Sequence, residues 1–550
     1  MAYIPVWYFG PMSSTSGAVL AFKKEILSGT SANQILKDQT ANELVFAVVG
    51  HVGSGTTFIA EVLSNLLTKQ GYSVELLKAR KVIVKWAREN GQSQGDPGRE
   101  LASTRSLQDW GDAMRKADTT AVARALVEEI RLSRARMQSI QEPGTSIIPP
   151  DGKPRAYIID AIRHPAEVHL LRSLYRNAFA LIGAVCQEDI RLTRLQRTKF
   201  KDAGETAIKK FMERDNKDQD PDKKHGQRVS DAFHLADFFI DNSEERQIKK
   251  NNQTLENPLW RVDEHLLRLV RIITHAKVER PTSAETAMHA AYGAQMRSAC
   301  LSRQVGAALI DATGNIVSTG ANEVPAAGGG VYAQASDDIK PKTDHRCAFR
   351  DTIYCSNTKE QHQIIEEILE FFEAEKTLTL TERAKLKKKL RDSSRVGALL
   401  EFSRAVHAEM DALLSAARQG KSPQGCRLFA TTYPCHYCAR HIVSAGIDEV
   451  QYIEPYPKSQ ALHLHGDSIT HSAQDWKPPS AGGDTVLFRP FTGVAPRLYW
   501  RAFLKDRELK SKDDGSFSMG EPDWGTVWDI SKLSYAELEA KLLTKEPARE

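Results

Sequence analysis

Two short stretches of this 550-residue chain carry side chains able to hold a metal and move a proton. Val406-His407-Ala408-Glu409 offers an imidazole and, two positions on, a carboxylate. Starting 28 residues after the imidazole, Cys435-His436-Tyr437-Cys438 offers two thiols behind Pro434. Zinc favours nitrogen and thiolate donors in a tetrahedron and, when catalytic, keeps one of four positions open to water. His407, Cys435 and Cys438 supply three donors, which leaves Glu409 free of the metal. Zinc brings the pKa of water toward neutrality. A carboxylate in a desolvated pocket can then accept a proton, deliver it to a substrate atom and assist a leaving group. A closed structural zinc or a redox pair is the competing reading of Cys-x-x-Cys, but a closed site needs a fourth ligand and no second close cysteine pair supplies one.

The elements that must position these groups are legible around them. Residues 401–418 have helical periodicity, so His407 and Glu409 fall in or near one turn, and Arg427 to Thr432 reads as a short strand. Pro434 then opens a second helix that carries both cysteines on one face, where its positive end favours thiolates. His-x-Glu followed by Pro-Cys-x-x-Cys is the signature of zinc-dependent deaminases acting on nucleobases, and it implies hydrolytic deamination. Upstream, Val305 to Ile310 and Ile316 to Thr319 read as a hairpin, from which Gly320-Ala321-Asn322-Glu323-Val324-Pro325 emerges. Together with Arg303-Gln304-Val305-Gly306-Ala307 and Ala445-Gly446-Ile447, these ordered motifs resemble a deoxycytidylate deaminase. The resemblance implies that Asn322 hydrogen-bonds the bound nucleoside; a turn-capping Asn is the alternative.

Length alone predicts more than one domain. The 75 basic and 70 acidic residues nearly cancel, so nothing marks a nucleic-acid coat. Seven scattered cysteines argue for a reducing compartment, and no apolar run is long enough for a membrane span. The expectation is a cytoplasmic protein with no membrane partner, in four parts: 1–40, an extension with one short helix; 41–270; 271–475, the zinc domain; and 476–550, a C-terminal extension ending in a helix over 534–543.

In the second part an apolar run, Leu44 to Val49, leads into Gly50-His51-Val52-Gly53-Ser54-Gly55-Thr56-Thr57, and a helical pattern follows. Strand, glycine loop and helix form the context of a phosphate-binding loop, where backbone N–H groups and the helix N-terminus meet an anion. The G-x-x-x-x-G-K-[ST] spacing holds except that Thr56 stands where the lysine belongs. Phosphate binding tolerates that change better than phosphoryl transfer does. Asp160, at the end of the strand 156–160, is a candidate Walker-B-like residue for Mg2+ beside a nucleotide. Arg191, Arg194 and Arg197 form a basic helical face able to meet phosphates, and the charged run 199–228 reads as a lid or surface segment. Alternating strands and helices predict a parallel α/β sheet over 41–265, similar to nucleoside-monophosphate kinases. The fold class is therefore α/β, a P-loop kinase-like sheet followed by a three-layer α/β/α cytidine-deaminase-like domain. Between Asn322 and His407 lies an insertion with two charged helices and a candidate second zinc set, His345, Cys347 and Cys355.

This order of parts resembles the bacterial antiviral dCTP/dCMP deaminases. What that resemblance implies is conversion of free deoxycytidine nucleotides to dUTP or dUMP, with depletion of dCTP, in a homo-oligomer. It also implies an enzyme held inactive until infection, by an inhibitory small RNA or until a phage-derived trigger acts. Two rivals share the motifs. One is an editing deaminase acting on RNA or DNA, which needs a basic channel with stacking aromatics. The other is a nucleotide-sensing binding protein with a structural zinc, in which Glu409 would have no task.

Overall fold

The computed structural model describes residues 41–92, 98, 100–216, 225–250, 253–332, 346–349, 352–375, 377–456, 458–505 and 509–517. The expected N-terminal extension and its helix, His345, part of the charged run 199–228 and the final helix over 534–543 lie outside the described residues.

Two six-stranded sheets organise the chain. In the first, β1 (Glu43–Val49), β2 (Ser73–Lys78), β3 (Arg155–Ile162), β4 (Phe179–Val185) and β5 (Phe238–Asp241) run parallel in the order β2-β3-β1-β4-β5. Every residue of β1, β3 and β4 is buried, as strands covered on both faces require. The strand order reverses about β1, and in such sheets ligands gather in the crevice at the carboxyl ends beside that point. Gly50–Thr57, Asp160 and Asn242 all sit there, ahead of helix α1 (Thr56–Lys69). Two further helices flank the crevice, α2 (Glu188–Arg194) and α3 (Glu205–Asn216). A small hairpin, β6 (Gln247–Lys250) and β7 (Gln253–Glu256), stands apart, and α4 (Val262–Ile273) packs on α1.

Helix α5 (Ser283–Gln295) opens the second half and covers one face of the second sheet. After β8 (Gly306–Ile310) and β9 (Ile316–Ala321), the insertion forms a helical pair, α6 (Ser356–Glu375) and α7 (Leu380–Ser393), joined by Glu366 to Arg383 and Lys387. Then come α8 (Ala408–Arg418), β10 (Arg427–Thr432), α9 (His436–Ser444), β11 (Glu449–Glu454), β12 (Ile469–Thr470) and β13 (Val486–Pro490). The sheet order is β9-β8-β10-β11-β13-β12, with β8 antiparallel to both neighbours. Alternation along β8 sends Ala308 and Ile310 toward α5 and Ala307 and Leu309 toward α8, giving three layers. Gly320 lets β9 and α8 touch backbone to backbone, because a Cβ there would lie 2.1 Å from the Ala408 carbonyl oxygen.

The stretch beyond 475 is not an appended extension as expected from sequence. It supplies β13 to the second sheet, then β14 (Gly493–Val494) to the edge of the first, antiparallel to β5, then α10 (Pro496–Phe503). The Phe491 ring meets Phe239 of β5 with centroids 6.3 Å apart, so the apolar core continues between the sheets. Glu285, 1% exposed, holds the crossing. Its carboxylate accepts from Val494 N (2.7 Å), from Thr282 N (2.8 Å) in a capping box, and from both terminal nitrogens of Arg268 on α4 (2.6 and 2.8 Å). Among the described residues no helix is long and apolar enough to cross a membrane. Glu285→Ala leaves the Val494 and Thr282 amides without their acceptor, while Arg268 keeps Glu279 and the Arg280 carbonyl, so the change should cost about 2–3 kcal/mol, read as a lower denaturant midpoint. An unchanged midpoint would contradict this account of the crossing.

Candidate active site

The histidine and the first cysteine of the motif stand at the N-caps of two helices. His407 caps α8 and Cys435 caps α9, while Cys438 lies in the first turn of α9. The expected helix over 401–418 begins only at Ala408. Val406 instead pairs its backbone with Glu323, donating to its carbonyl at 2.9 Å and accepting at 3.2 Å, and so cannot join the helical ladder. The bridge fixes the entry angle of His407. His407 Nδ1 lies 3.3 Å from Cys435 Sγ and 3.4 Å from Cys438 Sγ, and the three donor atoms all fall within 4.8 Å of one another.

That donor set fits zinc. Tetrahedral bonds of about 2.0–2.3 Å place neighbouring donors about 3.5 Å apart, close to what is seen. In the cluster the Cys435 thiol is drawn down to about 4, first by its hydrogen bond with Cys438 and then by His407. Burial pulls His407 down, but its hydrogen bond to Cys435 and the charges of Cys435 and Glu409 outweigh it and leave the imidazole at about 9. Glu409, 4% exposed in the first turn of α8, is pushed above the ordinary carboxylate range by burial, against the opposing pull of His407. A carboxyl whose proton affinity is raised in this way is suited to accept a proton and pass it on.

A cavity of about 400 Å³ reaches His407, Glu409 and Cys435 and is also walled by Asn322, Tyr433 and the start of α6. Asn322 Oδ1 accepts from Ser298 Oγ (2.8 Å) and Val305 N (2.9 Å), and its Nδ2 donates to the Arg303 carbonyl (2.8 Å). Its amide therefore ties 298–305 to the cavity wall. Asp411, also on α8, accepts from Ala321 N at 3.1 Å and fixes the strand end that carries Asn322. Sequence reading missed Glu323, buried and accepting from Ala299 N and Val324 N, and Tyr433 as a wall residue; the first sat inside a quoted motif and the second directly before Pro434. Cys347 and Cys355 both line the cavity, Cys355 Sγ 3.3 Å from Ser302 Oγ. Among the described residues the grouped candidate metal ligands are His407, Cys435 and Cys438.

The glycine loop forms a second cluster. Gly53 and Gly55 adopt left-handed φ values of 86° and 82°, and Thr57 Oγ1 donates to Asp160 Oδ2 at 2.7 Å. Ser54 and Thr56 are buried between them, with Gly50 at the end of β1. The chain's own side chains hold this loop. Val52 N donates to Asp215 Oδ2 (2.8 Å), Arg163 joins Asp215 to the Gly50 carbonyl, and Asn242 Nδ2 donates to the Ser54 carbonyl (2.9 Å). The expected phosphate-facing role of the arginine row is not what its side chains do here: Arg191 donates to the Val52 carbonyl and Arg194 to the Asn242 carbonyl. The charged run is no simple surface lid either, since Ile208, Phe211 and Met212 of α3 bury themselves against Val52.

Residues 281–454 match the family described as the cytidine and deoxycytidylate deaminase zinc-binding region. The deoxycytidylate deaminase of Enterobacteria phage T4 is 33% identical over 183 residues, spanning 32% of this chain and 80% of that protein. The phage T2 enzyme is 31% identical over 183 residues, spanning 32% of this chain and 82% of its own length. The chain belongs to the deoxycytidylate deaminase family. A dCMP deaminase from cyanophage S-TIM5, solved in complex with dCMP and dUMP, overlaps 39% of this deaminase and 99% of its own chain, at 19% identity and a TM-score of 0.21. As an enzyme the chain is a hydrolase of this family, and the matched region contains His407, Glu409, Cys435 and Cys438. Elemental analysis should find about one zinc per chain in the wild type, and close to none in Cys435→Ser or Cys438→Ser. Zinc retained by both variants would place the metal elsewhere.

Proposed function

We propose that this deaminase hydrolyses free deoxycytidine nucleotides, dCMP and dCTP, to the uracil forms and ammonia. The observation that carries the reading is a buried Glu409 beside a His/Cys/Cys set on a cavity of about 400 Å³, within the range of small-molecule sites. His407, Cys435 and Cys438 would hold the zinc, which when bound supplies the Lewis acidity that makes water nucleophilic at neutral pH. Glu409 takes the proton from the attacking water and gives it to N3 of the ring. It then takes the water's second proton from the hydroxyl now on C4 and gives it to the amine, which leaves as ammonia, so that C4 exchanges its C–N bond for a C=O bond. The phage T4 and T2 relatives are deoxycytidylate deaminases, which suggests the substrate class. Asn322 Nδ2 has a second hydrogen beyond the one on Arg303, and we assign that donor to the nucleoside.

Action on dCTP, a role in antiviral defence by depleting it, assembly as a homo-oligomer and restraint by a small RNA or phage trigger belong to the same proposal and rest on the order of motifs. In this reading the parts are those given from sequence, with β13 and β14 added to the two sheets they complete, and the protein acts in the cytoplasm. The first sheet is the regulator. A nucleotide with Mg2+ at Gly50, Gly53, Ser54, Gly55, Thr56 and Thr57 would bias the deaminase through differential affinity for its states. The Thr57 to Asp160 hydrogen bond and the two left-handed glycines support it. The first rival remains an outcome of the assay, as product formed from a cytosine-containing single strand.

Glu409→Gln should lower kcat on dCMP by about 10²–10⁴ while zinc content stays at the wild-type level. Retained turnover, or loss of zinc together with activity, counts against the assigned role, and wild-type product from the strand alone would make the protein an editor. For the regulator, Thr57→Ala should weaken Mg–ATP binding in equilibrium dialysis about tenfold. Equal binding by both proteins, or none by the wild type, removes that part of the proposal.

A further inference from the structure

We infer that His471 is a positioning residue for the Tyr433 wall of the deaminase cavity, and that Gln187 makes its position depend on the first sheet. The inference rests on the deaminase reading above and concerns how its substrate wall is held. Tyr433 directly precedes Pro434-Cys435 and is one of the residues that line the cavity. Its edges are packed by Tyr452 (4.8 Å between centroids, 88°) and Phe488 (5.8 Å), and its amide donates to the Glu454 carbonyl at 2.8 Å. These contacts leave the hydroxyl end to be fixed. It meets His471 Nε2 at 3.0 Å, and the two rings stand nearly perpendicular at 87°.

His471 follows β12, a two-residue edge strand that among the described residues pairs only with β13, so the sheet itself gives this loop little purchase. A contact from the other sheet helps to hold it: Gln187 Nε2 donates to the His471 carbonyl at 3.3 Å. Gln187 is the N-cap of α2, and the rest of that short helix grips the glycine loop. Arg191 donates to the Val52 carbonyl at 3.3 Å, and Arg194 donates at 2.6 Å to the Asn242 carbonyl while the Asn242 side chain donates to Ser54. One rigid segment therefore touches the glycine loop with its body and the His471 loop with its cap. Any shift of α2 that accompanies a change at the glycine loop would move the His471 carbonyl, and with it the anchor of the Tyr433 hydroxyl.

Steady-state kinetics of the full, zinc-loaded chain on dCMP and dCTP separate positioning from general structural support. A neutral hydrogen bond is worth about 0.5–1.5 kcal/mol, so His471→Ala and Tyr433→Phe should each raise KM about threefold to tenfold and leave kcat within about twofold. The double variant should be no worse than the poorer single one, because both changes delete the same bond. His471→Gln, which keeps a polar group at that reach, should recover part of the loss. Gln187→Ala should raise KM about twofold in the wild type and add nothing in the His471→Ala background. Losses that multiply in the double variant, a fall in kcat with KM unchanged, or KM values untouched by all of these changes would overturn the inference alone. A wild type that turns over neither nucleotide would sink the deaminase reading and this inference with it.

Discussion

Two helix N-termini converge on one point, and most of the second sheet is explained by the need to bring them there. The first residues of α8 and α9 carry His407, Glu409, Cys435 and Cys438, with N–H groups unpaired within the helices and a positive end potential that favours anionic ligands. Neither helix could deliver this set alone. β10 ends at Thr432, just before the α9 cap, and β9 leads through Asn322 to Glu323, whose backbone bridge to Val406 sets the start of α8. The close approach permitted by Gly320 removes the layer of side chains that would otherwise separate β9 from α8. Burial also bears on the chemistry, because desolvation raises the proton affinity of Glu409 and so makes it a better acceptor.

The two sheets share more than a linker. The chain completes the second sheet with β13, crosses to the first as β14, and is locked there by Glu285, whose carboxylate serves a β14 amide, its own helix cap and the Arg268 guanidinium together. A buried carboxylate with four donors around it is stable only while all of them stay in place. That arrangement joins the two sheets into one packed body.

How much of this was legible in the sequence depended on how local the cause was. The strand Arg427–Thr432 has the bounds read from the sequence, and the His-x-Glu and Cys-x-x-Cys residues meet as their spacing requires. Residues 401–407 misled because their periodicity is helical, while a partner eighty-odd positions earlier, Glu323, takes the Val406 backbone. The arginines of α2 misled for a similar reason: their charge suggested phosphate, but carbonyls of the glycine loop's surroundings are the nearer acceptors. β14 was invisible, since two residues, Gly493 and Val494, carry no strand pattern, and their pairing with Phe238 and Phe239 is a property of the whole fold. His471 likewise had no motif to mark it.

Hydrolytic deamination in the Glu409 pocket requires that a water replace the amine of a cytosine ring. The most direct test is turnover of dCMP in water enriched in oxygen-18, with the product read by mass spectrometry and ammonia measured alongside. The account requires one labelled oxygen in each uracil ring formed and an equal amount of ammonia. Uracil product without the label, or labelled product without ammonia, would contradict it.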